Sequence, residues 1–187
     1  MIDSDAALAA LLSSSGTGSR PSAGPVVAAL AGGDLCRTLG GRGDVSSRLG
    51  LDTTLVDVNA GRLFTGEKAI GPFVAHVVLR GRWWHGPTAV VMNSQWMGEW
   101  DMAPRSHPGD GLFDAIEGQL GFRERLLARR RAPSGDHVPH PQLRLSRRNS
   151  YEFEFDRPRL LVSDGVTLGR YRQVRIVMLE EAIRVAV

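Results

Sequence analysis

The chain of 187 residues is 42% hydrophobic and 23% charged, with a formal charge of +3, a profile that fits one globular domain with a small appendage. The pI near 9.7 rests on a small excess of arginine with no basic stripe interleaved with aromatics, which argues against a nucleic-acid partner and leaves weak attraction to an acidic membrane surface as the expectation. No apolar run approaches the ~20 residues of a membrane span, no secretory signal opens the chain, and the single Cys36 excludes an internal disulfide, so the expected location is cytoplasmic, at most peripheral at a membrane.

Ala6 to Leu12 form a short apolar stretch that predicts a helix capped by Asp3, Ser4 or Asp5. Residues 13 to 24 are Ser, Gly, Thr, Arg and Pro, the composition of a flexible linker, so 1–24 is expected to be an N-terminal segment and 25–187 the domain. Val26 to Leu30, Ala31-Gly32-Gly33-Asp34 and Leu35 to Gly40 predict a strand, a glycine turn and a brief helix stopped by Gly40 and Gly41. A helix start of that kind can hold an anion on its N–H groups, or be structural alone.

From Leu51 onward short β-type runs alternate with turn residues, which predicts antiparallel sheets. Strands are expected at Leu51–Val58, Phe73–Leu79, Thr88–Asn93, Leu112–Ile116, Gln142–Arg147, Tyr151–Phe155, Arg159–Val162, Gln173–Met178 and Ile183–Val187. Tyr151, Phe153 and Phe155 alternate with Glu152 and Glu154, the period of a half-buried strand. The run Val174 to Leu179 is apolar on both faces and is expected deeper in the core. Four tryptophans, Trp83, Trp84, Trp96 and Trp100, fall in one third of the chain, with Trp83 and Trp84 pointing to opposite faces if they lie on a strand.

Between these runs, Ala103 to Asp114 hold Pro104, Pro108, Gly109 and Gly111, a tight irregular turn around Asp110. A carboxylate in such a turn either bonds to nearby backbone N–H groups or joins turn carbonyls around a hard cation. A helix is predicted around Phe122 to Arg131, with Phe122, Leu126 and Leu127 on one face and most of its arginines elsewhere. It is either a surface helix packed on a sheet or a basic helix touching lipid headgroups. His137 and His140 lie three apart, but Pro139 and Pro141 forbid the helix that would align them on a metal, so a structural loop is expected.

Ala103-Pro104 followed by Asp110-Gly111-Leu112-Phe113-Asp114 resembles the C-terminal domain of the diacylglycerol kinase and sphingosine kinase family, with the bacterial YegS-like lipid kinases the closest type. Leu35 to Gly40 resemble the family's helix after its Gly-Thr-Gly-Asn-Asp turn, and Gly135 to Pro141 resemble its Gly-(acidic)-His-x-x-His-Pro loop. The resemblance implies a mainly β fold, an antiparallel two-sheet β-sandwich with one or two short helices, in which 25–41 is a remnant of the inter-lobe strand, turn and helix. It implies ligand-binding roles for Asp34, Asn93, Trp96 and Asp164, with Asn93 and Trp96 near an acyl-chain cleft. It also implies structural Mg²⁺ or Ca²⁺ on Asp110, joined by the carbonyls of His107 and Leu112.

The chain departs from the family in three places. The threonine and asparagine of the nucleotide turn are replaced in Leu30-Ala31-Gly32-Gly33, no Gly-Gly-Asp-Gly-Thr motif of an ATP lobe is present, and no room for that lobe is read upstream of Pro25. Val166 stands at the family's general-base position, and losing a general base typically costs roughly 10²–10⁴-fold. No catalytic residue and no ATP binding by the isolated chain are therefore expected. The leading expectation is a degenerate, non-catalytic lipid- or small-ligand-binding or interaction module. The alternative is the lipid-acceptor half of a split kinase completed by a separate ATP-lobe chain. A face that normally packs on an ATP lobe also predicts self-association, as a homodimer.

Overall fold

A computed structural model describes residues 2–14, 26–41, 55–82, 85–136 and 140–186. The expectations for most of the 13–24 linker, the start of the strand at Leu51, the Trp83-Trp84 pair and His137 lie outside the described residues, as does the expected domain boundary at 24/25.

Helix α1 (Asp5–Ser14) leads into β1 (Val26–Ala29) and α2 (Gly33–Thr38), followed by β2 (Leu55–Thr65), β3 (Lys68–Phe73), β4 (His76–Arg80) and β5 (Thr88–Met92). A small hairpin, β6 (Trp96–Met97) and β7 (Trp100–Asp101), precedes β8 (Phe113–Gly118) and α3 (Phe122–Arg131). The chain closes with β9 (Leu143–Arg148), β10 (Ser150–Ser163) and β11 (Val166–Ala186). The fold is mainly β, as expected. Eight strands run β3-β2-β11-β10-β4-β5-β8-β9, and β1 joins as the ninth by pairing with β11. All these pairings are antiparallel except β1 on β11, which is parallel.

The sheet curls so that its two ends face one another, which gives the two layers of a sandwich. Phe73 of β3 and Phe113 of β8 come from opposite ends, yet their ring centroids are 5.3 Å apart. Around them pack Leu63, Val77, Val91, Phe153, Leu161 and Ile176. The ring of Phe73 lies directly over Gly61, where a β-carbon would sit 2.0 Å from its nearest ring carbon, so only glycine fits. The alternation read in Tyr151, Phe153 and Phe155 is present: the first two are buried, and Glu152 and Glu154 between them are exposed.

Several expected strands differ in extent. The run Phe73–Leu79 is broken at Val74 and Ala75, because a carboxylate takes the N–H groups of residues 74 to 76 that a continuous strand would use for its ladder. Conversely, Tyr151–Phe155 and Arg159–Val162 are one strand with shifts in pairing register between Glu154 and Arg159 and between Leu161 and Val162. Gln173–Met178 and Ile183–Val187 likewise belong to one 21-residue strand, β11. Its pairing with β2 is interrupted between Leu179 and Ile183, where Glu181 adopts φ 46° and donates its N–H to Asn59 Oδ1, the geometry of a β-bulge.

A second core lies under α1. Leu8 and Leu12 pack against Leu30, Leu35, Val58, Val74 and Ile183. The Asp5 carboxylate is not a cap of its own helix; it accepts the N–H groups of Asp34 at 2.6 Å and Leu35 at 3.2 Å, and so caps α2. Those bonds require the Gly32-Gly33 turn, since a β-carbon on Gly33, at φ +94°, would lie 2.5 Å from the Asp5 carboxylate.

Candidate functional site

Three of the four residues expected to bind ligand converge on the corner between β3 and β4, residues 74 to 76. Asp164 sits beside Gly165 in the tight β10–β11 hairpin, both at positive φ, as the favoured two-residue Asp-Gly turn demands. This directs its carboxylate inward, where Oδ1 accepts the N–H groups of Ala75 and His76 and Oδ2 accepts that of Val74, all within 2.9 Å. Burial pushes the Asp164 carboxyl up to about 7, against three hydrogen bonds that favour its ionised form. Asn93 is fully buried; its Nδ2 donates to the carbonyls of Asn59 and Val74 and its backbone N–H to that of Ala75.

Asp34 reaches the same corner through His76, with Oδ2 to Nδ1 at 3.4 Å. Burial lowers the His76 pKa, and Asp34 partly offsets this. Desolvation likewise raises Asp5 to about 6, opposed by its two backbone bonds. The side chains of Asp5, Asp34, Asn93 and Asp164 are thus engaged with the protein's own backbone or with His76. Asp5, His76 and Asn59 carry much of this brace; the sequence marks Asp5 only as a candidate cap of α1 and does not mark the other two, because the partners of these residues are 29 to 122 residues away.

Helix α2 also clamps the β6–β7 hairpin. Asp34 Oδ1 accepts the Gly98 N–H at 2.9 Å, Thr38 Oγ1 accepts that of Gln95, and Arg37 donates to the Gly98 carbonyl. The Arg37 guanidinium lies 3.4 Å from the centroid of the Trp96 ring, a cation–π contact that covers the tryptophan expected to face the cleft. Val166 is 47% exposed at the start of β11 and offers no proton acceptor.

The open space lies on the other side of the hairpin. A cavity of about 530 Å³ is bounded below by Val90 and Ile116 of the sheet, at one end by Met97, Trp100 and Met102, and above by α3. The helix has no buried residue; Phe122 is 76% exposed and Leu126 47%, so it stands off the sheet instead of packing on it. Gly121 N–H and the Gln142 side-chain amide both donate to Glu124 and hold the start of the helix. Arg125 and Arg129 stand at the cavity's edge. An apolar volume of this size with a few polar groups at its mouth is the usual form of a small-molecule site.

At the Asp110 turn, Oδ1 accepts the Leu112 N–H at 2.9 Å and Oδ2 pairs with Arg147 Nη2. Arg147 Nε also meets Asp114 Oδ1 at 3.1 Å, because β8 and β9 place Asp114 directly opposite Arg147. Burial raises the Asp114 pKa, and the Arg147 charge works against that rise. The His107 carbonyl accepts the Asp110 N–H. Both Asp110 oxygens and Asp114 Oδ1 already face N–H donors, Arg147 foremost among them, while Asp114 Oδ2 is left without a hydrogen-bond partner; a divalent ion held by these oxygens would lie against the guanidinium charge. Among the described residues no cluster of three His, Cys, Asp or Glu side chains is spaced to hold a metal. The residues present do not fit Mg²⁺ or Ca²⁺.

The fold is a β-rich domain whose architecture is shared with solved structures described as diacylglycerol kinases. The chain is similar to a solved structure from Bacillus anthracis str. Sterne provisionally named a diacylglycerol kinase, with a TM-score of 0.63 and 11% identity over 84% of this chain and 67% of the other. A second solved structure from that organism, described as a diacylglycerol kinase, matches with a TM-score of 0.59 at 12% identity, over 84% and 65% of the respective chains. This chain therefore spans about two thirds of those proteins' length, and at such identities the likeness is one of fold. No family model and no curated protein sequence matches. No helix among the described residues is long and apolar enough to cross a membrane.

Proposed function

We propose that this chain is a non-catalytic lipid-binding domain that takes one acyl chain of an anionic lipid into the cavity between α3 and the sheet. The observation that carries this is a ten-residue helix held over an apolar floor with none of its own side chains buried. A surface helix normally buries an apolar stripe against the core; here Phe122 and Leu126 instead line an open volume, and the helix's last turn carries Arg129, Arg130 and Arg131. An acyl chain would cover the apolar lining, and the arginines would meet the acidic headgroup.

Two observations support the non-catalytic half of the reading. Val166 cannot take a proton from a lipid hydroxyl, and Asp164 faces the β3–β4 corner with both oxygens engaged. At the glycine turn, the N–H groups of Asp34 and Leu35 are already bonded to Asp5, which leaves a nucleotide phosphate little to bind. Sedimentation with vesicles tests the lipid reading. The protein should pellet with phosphatidylglycerol vesicles and stay in solution with phosphatidylcholine, and Arg129→Gln should weaken pelleting about fivefold, roughly 1 kcal/mol per cationic residue near the surface. Equal pelleting with both lipids, or with neither, would refute it.

A further inference from the structure

We propose that the Arg147 guanidinium is a built-in substitute for a metal ion at the Asp110 turn, so that this protein closes the turn onto the β8–β9 pair without any divalent cation. The geometry assigns the guanidinium the work an ion would do. Its Nη2 holds Asp110 from the turn, its Nε holds Asp114 from β8, and its own strand is fixed opposite Asp114 by the register of the sheet. One rigid fork thus joins two carboxylates that would otherwise repel, and arginine suits this because its donors are planar and its charge permanent.

The rest of the turn needs no ion to keep its shape. Asn59 N–H donates to the Pro108 carbonyl at 2.7 Å, Ser106 N–H to that of Ala103, and Gly109 N–H to His107 Nδ1. These bonds fix the backbone of the turn through the protein's own donors and acceptors. A divalent ion beside Asp110 would also lie next to the guanidinium, and like charges at that range repel. The consequence is a specific dependence: removing the arginine exposes two carboxylates with no cation between them, and only then does the turn gain an appetite for calcium.

Thermal melting of the full chain in EDTA, in millimolar MgCl₂ and in millimolar CaCl₂ tests this without any activity readout. The wild-type midpoint should agree in all three buffers to within about 1 °C, while Arg147→Met should melt roughly 3–8 °C lower in EDTA and recover at least half of that loss in CaCl₂. Arg147→Lys, which keeps the charge but loses the fork, should fall between the two and ignore calcium. This variant preserves the test if Arg147→Met fails to fold. A wild-type midpoint that rises with either cation overturns the proposal, as does an Arg147→Met protein that melts like wild type in EDTA. A loss that calcium does not repair overturns the claim that the guanidinium stands at the ion's position.

Discussion

Ala128 points from α3 into the cavity and is only partly buried, so a larger side chain can be placed there without touching the sheet core. Ala128→Phe fills part of the roughly 530 Å³ with a ring that displaces about four methylenes of a bound chain. At about 0.8 kcal/mol per buried methylene, the variant loses roughly 3 kcal/mol, or about 200-fold in Kd. Trp100 lines the same space, so an anionic lipid carrying a bromine-labelled acyl chain should quench its fluorescence, and titration of that quenching gives the affinity. Phenylalanine adds no competing fluorophore. The helix should be unharmed, because the substitution adds apolar contact where none is buried now. If quenching in Ala128→Phe has the wild-type midpoint and depth, the acyl chain lies elsewhere and the proposed site is wrong.

Other consequences can be measured on stability. Asp164→Ala strands three buried N–H donors at ~1 kcal/mol or more each and puts alanine at a positive φ. Denaturant unfolding near pH 5.5, where the native carboxyl is largely neutral and its burial cost small, should show a loss of about 3 kcal/mol; a loss under 1 kcal/mol would mean that the β3–β4 corner stands without it. Asp5, raised by burial to about 6 in the folded chain from 3.8, binds a proton more readily folded than unfolded. Its contribution is therefore full below pH 4 and lost as pH rises through 6. Wild type should gain about 2–3 kcal/mol over Asp5→Asn on going from pH 7.5 to 4. The comparison cancels His76, whose lowered value gives the opposite slope, and cancels Asp164, raised to about 7, except for the part of that rise due to the Asp5 charge; a flat difference would disprove the burial argument. Gly61→Val should cost about 3 kcal/mol by forcing the Phe73 ring away, and Phe73→Leu in the same chain should recover part of it; no recovery would place the strain elsewhere.

Much of the fold was legible because period-two alternation and turn residues report local structure. The Tyr151 to Phe155 face and the glycine turn that opens the brief helix at Gly33 are local signals, and both are present in the structure. What escaped depends on distance along the chain. Asp164 is expected from the resemblance to bind ligand, and nothing within its own neighbourhood reveals that its carboxylate is taken by backbone N–H groups 88 to 90 residues earlier. Of the three candidate caps of α1, Ser4 Oγ takes the Ala7 N–H, while Asp5 is drawn off to donors on α2 that follow 29 and 30 residues later. The Asp110 turn was visible, but its choice between a metal and an arginine rested on Arg147, which only the β8–β9 register brings near. For α3 the amphipathic pattern was present in the sequence, yet periodicity cannot say whether an apolar stripe meets a core or an empty space.

Strand β11 runs beside β10 from Val166 to Val177, beside β2 from Arg175 to Ala186, and beside β1 from Ile183 to Ala186. At about 3.3 Å per residue it is roughly 70 Å of a single polypeptide segment, threaded through the core under α1 and the core around Phe73 and Phe113. A protease cut near Glu181 would therefore sever the mechanical link between the α1-covered half and the Phe73–Phe113 half, and an uncut chain has no seam along which one half can melt while the other survives. Heat or denaturant should meet a single cooperative transition.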